Sequence, residues 1–270
     1  MTSEQAAVDR FFDDASDYWR EVYAETDLQG LVYRRRMETA LAWVGELGLS
    51  ASSQVLDAGC GAGLMSVGLA RAGYEVTATD SSPRMVALCA QQAAAAGMDE
   101  HVQVQRADAL RLPFATGQFT LVVAIGLLPW LSDPGGAVAE MSRVLASGGW
   151  LIVTADNRRR LNRLIEPRES PVLAPLKLAR RQLRRRLGRL PAGAQSYRHR
   201  SEEVDAMLRA AGCEPSRRTT VGYGPFTFLS RPVLSNPAGT RLHLVLERSA
   251  GRHPRLRGAG WHYLVAGRKQ

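Results

Sequence analysis

The sequence predicts an α/β fold in which a mostly parallel sheet carries helices on both faces. An apolar run at 54–58 leads into a glycine-rich turn and then into helical periodicity, which is typical of a buried parallel strand followed by a crossover helix. Strand and helix patterns then alternate as far as residue 155. Acidic residues follow successive strands, at the edge where such sheets bind ligands.

The elements of this α/β fold can be placed along the chain from these patterns. The predicted strands share apolar or alternating character and cover 55–58, 75–80, 102–106, 119–125 and 150–155, with helices at 64–72, 82–96 and 134–145 between them. Beyond residue 200 the patterns indicate helices at 201–212 and 236–250, and strands at 219–228 and 262–266 that complete the sheet.

The N-terminal 50 residues read as two helices separated by an irregular stretch at 23–30. Their aromatic residues include Tyr18 and Tyr33, whose hydroxyls would need partners if both side chains were buried. We therefore expect a helical flap that covers a ligand.

The turn after the first strand indicates a nucleotide-type ligand. Glycines there permit positive φ and a close approach of a ligand to the main chain. Gly59 and Gly61 fit the start of the dinucleotide pattern G-x-G-x-x-G, but its third glycine position is Leu64, and Gly63 comes one residue early. A P-loop is excluded because no Gly-Lys-Ser/Thr follows.

Four short patterns between residues 53 and 155 carry a resemblance to a known family. The run Asp-x-Gly-x-Gly-x-Gly at 57–63 is followed by Asp80 after the second strand, Asp108 after the third, and Arg-Val-Leu-Ala-Ser-Gly-Gly at 143–149. In this order they resemble the motifs of the class I S-adenosylmethionine-dependent methyltransferases. The resemblance implies a Rossmann-like, doubly wound, seven-stranded sheet with a helical lid inserted after the fifth strand.

The resemblance also implies which residues bind the cofactor, S-adenosyl-L-methionine. The 57–63 loop would cradle its methionine part, Asp80 would bind the ribose hydroxyls, Met85 would wall the adenine, and Asp108 would accept from the adenine amine. The complete set of expected cofactor-binding residues is Asp57, Gly59, Cys60, Gly61, Gly63, Asp80, Ser81, Met85, Ala107, Asp108, Ala109, Ile125, Tyr18 and Tyr33.

Each acid has an alternative interpretation. Asp57 could act mainly on its own loop, because short carboxylates readily accept from nearby backbone N–H groups. Asp80 could be a helix-capping acid, and Asp108 a solvated loop acid.

The chain departs from the family after the fourth strand. Many small-molecule members carry His-His there, whereas this chain has Leu127-Leu128-Pro129-Trp130. The departure removes the nearest base, so His199 and Tyr197 are the catalytic residues we favour. The other histidines are less well placed: His101 is at the amino end of a strand, His253 and His262 come late in the chain near arginines, and His243 and Tyr223 are further alternatives.

Composition narrows the function classes. The chain has 270 residues, and no window approaches the roughly 18 apolar residues of a membrane-spanning helix. Its N-terminus does not resemble a secretory signal, and its three cysteines are widely spaced, so neither a disulfide framework nor a metal site is expected. We expect a cytoplasmic protein.

The net charge of +9 is concentrated in one segment. Residues 158–200 hold fourteen arginines or lysines against two glutamates. Four interpretations are open: a lid that grips an acidic substrate, a membrane-surface helix at 176–190 with leucines along one face, a nucleic-acid surface, or a solvated basic face. Nucleic acid is disfavoured because no aromatic residue is interleaved with the basic residues before Gln195.

The sequence therefore predicts one methyltransferase domain. Its parts are a flap at 1–50, a cofactor-binding core at 51–157, a basic lid at 158–200 and a C-terminal completion of the sheet at 201–270. We expect methyl transfer to oxygen of a small or lipid-like acceptor in a biosynthetic pathway. The alternatives are an RNA methyltransferase, and a cofactor-binding protein that works as a cyclase or a regulator.

Overall fold

The computed structural model describes residues 3–15, 27–51, 53–167, 196–229 and 231–270. Tyr18 and the helix expected at 176–190 lie outside these ranges. Within the described part of the chain, no helix combines the length and the apolar character needed to cross a bilayer.

A single sheet forms the centre of the fold, with a separate two-stranded hairpin. The strands are β1 (Gln54–Ala58), β2 (Glu75–Asp80), β3 (Val102–Arg106), β4 (Phe119–Ala124), β5 (Leu145–Asn157), β6 (Arg198–His199), β7 (Cys213–Val221), β8 (Thr227–Phe228), β9 (Arg231–Pro232) and β10 (His262–Lys269).

The order of the main sheet is β3-β2-β1-β4-β5-β10-β7. Pairing is parallel from β3 to β5, whereas β10 runs antiparallel to both of its neighbours. The two-residue β6 pairs in parallel with the end of β5, and β8 with β9 forms the hairpin. The predicted Rossmann-like, mostly parallel seven-stranded sheet is confirmed.

Helices cover both faces of this sheet. They are α1 (Ser3–Asp14), α2 (Leu28–Glu46), α3 (Leu64–Arg71), α4 (Pro83–Ala95), α5 (Pro134–Val144), α6 (Ser201–Ala210), α7 (Asn236–Ala250) and α8 (Pro254–Arg257). α4 begins as predicted: Ser82 caps it by accepting from Met85 N at 3.1 Å, and a proline stands in its first turn.

Three predicted boundaries were wrong. α2 begins at Leu28 rather than after residue 30, because Asp27 caps it through Gly30 N at 2.7 Å. β5 begins at Leu145 and continues through the expected glycine turn with a shift in register against β4. β7 begins at Cys213, since β10 pairs with it along its length, and it ends before Gly222, whose φ is +78°.

The core lies on both faces of the sheet because successive side chains alternate between them. On β4, Leu121 and Val123 pack with α2, α3 and α4, whereas Val122 and Ala124 pack with α5 and α6. The strand is apolar throughout because both of its faces are covered, as expected at the centre of a parallel sheet. Because β1 to β5 pair in parallel, their carboxyl ends lie along one edge of the sheet, and the helices packed on both faces hold the strands in place.

Candidate active site

The main cleft lies at the carboxyl ends of the parallel strands. It has an empty volume of about 1060 Å³, part of which is open to solvent. The ends of β1, β2, β4 and β5 form its floor, and side chains of α1 and α2 cover it. This is the position in which open α/β sheets bind their ligands.

The glycine turn after β1 is tied to the end of β2. Gly59 N and Cys60 N both donate to Thr79 O, at 2.7 and 2.9 Å. Gly59 and Gly61 have φ of +72° and +52°, which favours glycine. A Cβ on Gly61 would meet no atom within 4 Å and would project into open space. The turn therefore leaves room for a ligand beside its main chain.

Asp57 is buried beneath this turn. Its Oδ2 accepts from Ser66 Oγ at 2.6 Å, so the carboxyl is bonded to a side chain of α3 rather than to the backbone of its own loop. Burial raises the pKa of Asp57 to about 7, although the bond from Ser66 opposes the rise.

Asp80 is the acid best placed to hold polar groups of a ligand. Its Oδ2 accepts from Gly61 N at 3.0 Å and its Oδ1 from Ser82 N at 2.9 Å. Burial raises its pKa to about 6 despite these bonds. Since each carboxylate oxygen can accept more than one bond, both still have capacity for ligand hydroxyls.

A side cavity of about 310 Å³ opens beyond Asp80. Ala107, Asp108 and Ala109 form one wall, and Leu127 and Leu131 lie in another part of the lining. Asp108 Oδ1 accepts from Leu110 N at 3.0 Å. The combination of apolar walls with the carboxylates of Asp80 and Asp108 suits a flat heteroaromatic ring that carries an amine.

α1 is fastened over the cleft by polar and aromatic contacts. Ser81 Oγ donates to Asp9 Oδ1 at 2.7 Å, and Ser82 Oγ to Asp13 Oδ1 at 2.5 Å. At the other side, Trp130 stacks on Phe11 with ring centroids 5.2 Å apart and meets Phe12 edge-on at 5.0 Å. α1 therefore bridges the end of β2 and the segment after β4.

Sequence reasoning missed three residues on the far side of the cleft. Arg36 and Asp156 line it, and Asp156 Oδ1 lies 3.2 Å from His262 Nδ1. His262 lies late in the chain, but β10 pairs with β5 and places His262 opposite Asp156. A pattern of strand ends could have found Asp156; the antiparallel return of β10 left no local signal for His262.

Most of the predicted cofactor-binding residues come together. Those that line the main cleft are Asp57, Gly59, Cys60, Gly61, Asp80, Ser81, Met85, Ile125 and Tyr33, and those that line the side cavity include Ala107, Asp108 and Ala109. Gly63 lines neither. It stands at the start of α3, where a Cβ would lie 2.7 Å from Cys89 Sγ, so its smallness serves the packing of α3 against α4.

The residues predicted to be catalytic lie beside the cleft rather than in its lining. Tyr197 N donates to Pro129 O at 2.6 Å, and half-buried His199 pairs with the end of β5, where burial lowers its pKa. Two of the alternatives, His243 and Tyr223, are not part of the main cleft's lining. His243 is buried and accepts from Tyr223 N, and the Tyr223 hydroxyl donates to Leu256 O at 2.8 Å, away from the cleft.

Comparison with known proteins agrees with this geometry. The family model described as "Methyltransferase domain" matches residues 56–153, which span the glycine turn, Asp80, Asp108 and β5. This part of the chain therefore matches a methyltransferase domain, as the four sequence motifs predict.

Relatives of this methyltransferase include proteins named ubiquinone biosynthesis O-methyltransferase. The one from Bordetella avium (strain 197N) is 27% identical over 227 residues, which are 83% of this chain and 86% of that protein. The one from Caulobacter sp. (strain K31) is 29% identical over 176 residues, 64% of each chain.

Solved structures share the fold of the methyltransferase at low identity. Magnesium protoporphyrin IX methyltransferase from Synechocystis PCC 6803 has a TM-score of 0.66 at 16% identity, over 99% of this chain and 100% of that chain. The [4+2]-cyclase SpnF has a TM-score of 0.63 at 21% identity, over 100% of this chain and 97% of that chain.

S-adenosyl-L-methionine is the cofactor of this methyltransferase, and its residues fit that molecule. The open space beside Gly61 can take the methionine part, Asp80 has acceptor capacity for ribose hydroxyls, and the side cavity offers apolar walls and a carboxylate, Asp108, for adenine.

A methyl group on Gly61 should block the cofactor. We expect Gly61→Ala to weaken binding of S-adenosylmethionine in calorimetric titration by about tenfold or more. Gly73→Ala is the matched control: φ there is +91° and a Cβ again meets nothing within 4 Å, but Gly73 precedes β2 at the opposite edge of the sheet. Equal affinities for the two variants would contradict our placement of the cofactor.

Loss of the Asp80 carboxylate should weaken the same binding by about 1–3 kcal/mol, because the ribose loses its acceptors. Glu75→Ala, at the exposed amino end of the same strand, is the control and should leave affinity unchanged. Asp80→Ala also loses the bonds from Gly61 N and Ser82 N, so the thermal unfolding of both variants is measured to show whether weaker binding reflects a less stable fold. An Asp80→Ala protein that is folded and binds normally would remove Asp80 from the site.

Proposed function

We propose that this methyltransferase transfers the methyl group to an oxygen atom of a small or lipid-like acceptor. The observation that carries the proposal is the half of the main cleft beyond the glycine turn. Aromatic side chains of Phe12, Tyr33 and Trp130 line it, together with the charged groups of Arg36 and Asp156. Such a wall suits an apolar ring or chain that bears a polar oxygen. The name O-methyltransferase of the Bordetella and Caulobacter relatives supports the same reaction.

The protein contributes alignment more than activation. When bound, S-adenosylmethionine supplies a methyl group on a sulfonium, and its sulfur keeps the electron pair of the bond that breaks. The chain has to hold the acceptor oxygen in line with that methyl and to exclude water. The bridge that α1 forms between Ser81 and Trp130 covers the cleft and serves both requirements.

For a lipid-like acceptor we propose a cytoplasmic enzyme that touches the membrane surface through the basic helix expected at 176–190. An exposed apolar hairpin supports this: Phe228, Leu229 and Val233 are each about half exposed, at 50%, 49% and 50%. The hairpin is bonded to the start of the basic segment, since Thr227 N donates to Asn162 Oδ1 at 2.8 Å. Apolar tips flanked by arginines suit an anionic lipid surface.

The acceptor class can be tested directly. We expect the protein with S-adenosylmethionine to form demethylated cofactor when given apolar phenols, with catechol and alkyl-substituted phenols as the first panel. Transfer RNA and protein-free buffer are the comparison arms. Turnover with RNA alone would favour the RNA methyltransferase. Cofactor binding without turnover on any arm would favour a cyclase or a regulator.

The membrane contact can be tested with vesicles. We expect the protein to sediment with vesicles of phosphatidylglycerol and phosphatidylcholine but not with phosphatidylcholine alone, and a variant lacking 176–190 to lose most of this binding while it keeps its cofactor affinity. The double variant Leu183→Ser, Leu187→Ser keeps every charge, so weaker vesicle binding by this variant would show that apolar contact contributes in addition to charge. Unchanged vesicle binding and acceptor use after the deletion would leave 158–200 as a solvated basic face.

A further inference from the structure

Three aspartates line the main cleft, and their hydrogen bonds distinguish them. The buried carboxyl of Asp57 is bonded to Ser66, and burial raises its pKa. Asp80 accepts one backbone N–H on each oxygen. Asp156 Oδ1 lies 3.2 Å from His262 Nδ1, and 19% of the Asp156 side chain is exposed. Asp156 therefore has a partly exposed carboxylate that can accept from a substrate.

Asp156 also lies on the acceptor side of the cleft. The cofactor-binding residues follow β1, β2 and β3, whereas Asp156 is near the end of β5, beyond β4 in the sheet. Arg36 is close by, on the same wall, and its guanidinium lies over the Tyr33 ring at 5.0 Å. An acceptor next to the cofactor would therefore meet Asp156.

The surroundings of Asp156 keep it ionised. Burial alone would raise the pKa of Asp156, but its contact with His262 and the charges of Arg160 and Arg36 outweigh burial and hold that pKa below its usual value. A negative charge is thus available beside the acceptor oxygen throughout the neutral pH range.

We propose that Asp156 is the catalytic base of the methyl transfer and that His262 is the residue that positions it. The proposal rests on the proposed O-methylation. As the acceptor oxygen bonds to the methyl group, it must lose its proton, and Asp156 takes that proton to become a neutral carboxylic acid. A weak base is sufficient, because an oxygen that already carries the new methyl is far more acidic than the free hydroxyl.

His262 lies opposite Asp156 on the neighbouring strand β10 and restrains its position. Its side chain is 2% exposed, and its ring packs 5.6 Å from that of Tyr33. Burial and the nearby arginines lower the pKa of His262 to about 4, so the ring is neutral. Its Nδ1 lies 3.2 Å from Asp156 Oδ1, close enough to restrict the position of the carboxylate.

Two acceptors that differ in acidity test the base. Catechol is protonated at neutral pH, whereas the nitro group of 4-nitrocatechol leaves that acceptor ionised and in no need of a base. We expect Asp156→Asn to lower kcat with catechol about 100-fold or more and with 4-nitrocatechol less than about threefold. A merely structural role would lower both rates together, and that result would overturn the proposal.

The pH profile provides a second criterion. The charged and titratable groups that face Asp156 are His262 on β10, His199 on β6, Arg36 on α2 and Arg160. Burial lowers the pKa of each histidine. We therefore expect kcat with catechol to be flat between pH 6.5 and 8 in the wild type, and to rise about tenfold per pH unit in Asp156→Asn as the acceptor ionises. A flat profile in the variant would contradict the proposal.

Substitutions at His262 test positioning. Asn can present an amide N–H near the place of Nδ1, so His262→Asn should keep most of the rate with catechol, whereas His262→Leu should lose about tenfold in kcat with little change in KM. Glu202→Gln, on an exposed carboxylate of α6, is the matched control. Equal rates in the Leu and Asn variants would remove His262 from this role.

Binding and unfolding measurements show whether Asp156→Asn is still folded and still binds the cofactor. Calorimetric affinity for S-adenosylmethionine and the thermal unfolding midpoint should change little in Asp156→Asn. If the wild type methylates neither catechol nor 4-nitrocatechol, that result contradicts both the proposed O-methylation and the role of Asp156 as base. If the wild type and Asp156→Asn are equally active, the proposed O-methylation stands and only the role of Asp156 as base is contradicted.

Discussion

The conformation of the turn after β1 is the constraint on which the site depends. Gly59 and Gly61 take positive φ, and this allows two successive N–H groups to reach Thr79 O and a third to reach Asp80. The carboxylate thus joins the turn to the start of α4 through Ser82 N. Asp80 therefore fixes the glycine turn relative to α4, which contributes Met85 to the main cleft.

The half of the site that binds the cofactor could be predicted because its residues are adjacent to strand ends in sequence. Asp80 and Asp108 follow β2 and β3 directly, and parallel strands bring such positions to one edge. Local patterns were also sufficient for the sheet and most helices. The boundaries failed where partners decided them, as at β7, whose length is set by pairing with β10.

The acceptor half could not be predicted in the same way. Arg36 comes from a helix that precedes the sheet, and His262 from a strand more than one hundred residues after β5. Neither has a motif, and His262 gains its meaning only from its position opposite Asp156. The favoured residue His199 pairs with Asn157 at the end of β5, whereas Asp156, the residue before Asn157, lines the cleft. Chemistry assembled by long-range pairing leaves no trace in local spacing.

The place of β10 between β5 and β7 has a consequence for how the chain folds. β1 to β5 can pair through short-range crossovers as soon as they are made, but β7 has to wait until a strand from later in the chain is inserted beside β5. Until then β5 is an unpaired apolar edge, with Val153 and Ile152 open to other chains. Such a delay raises the contact order and prolongs a stage at which chains can aggregate. Pairing of β10 with β5 thus completes the acceptor wall and also covers the strand edge at which chains can aggregate.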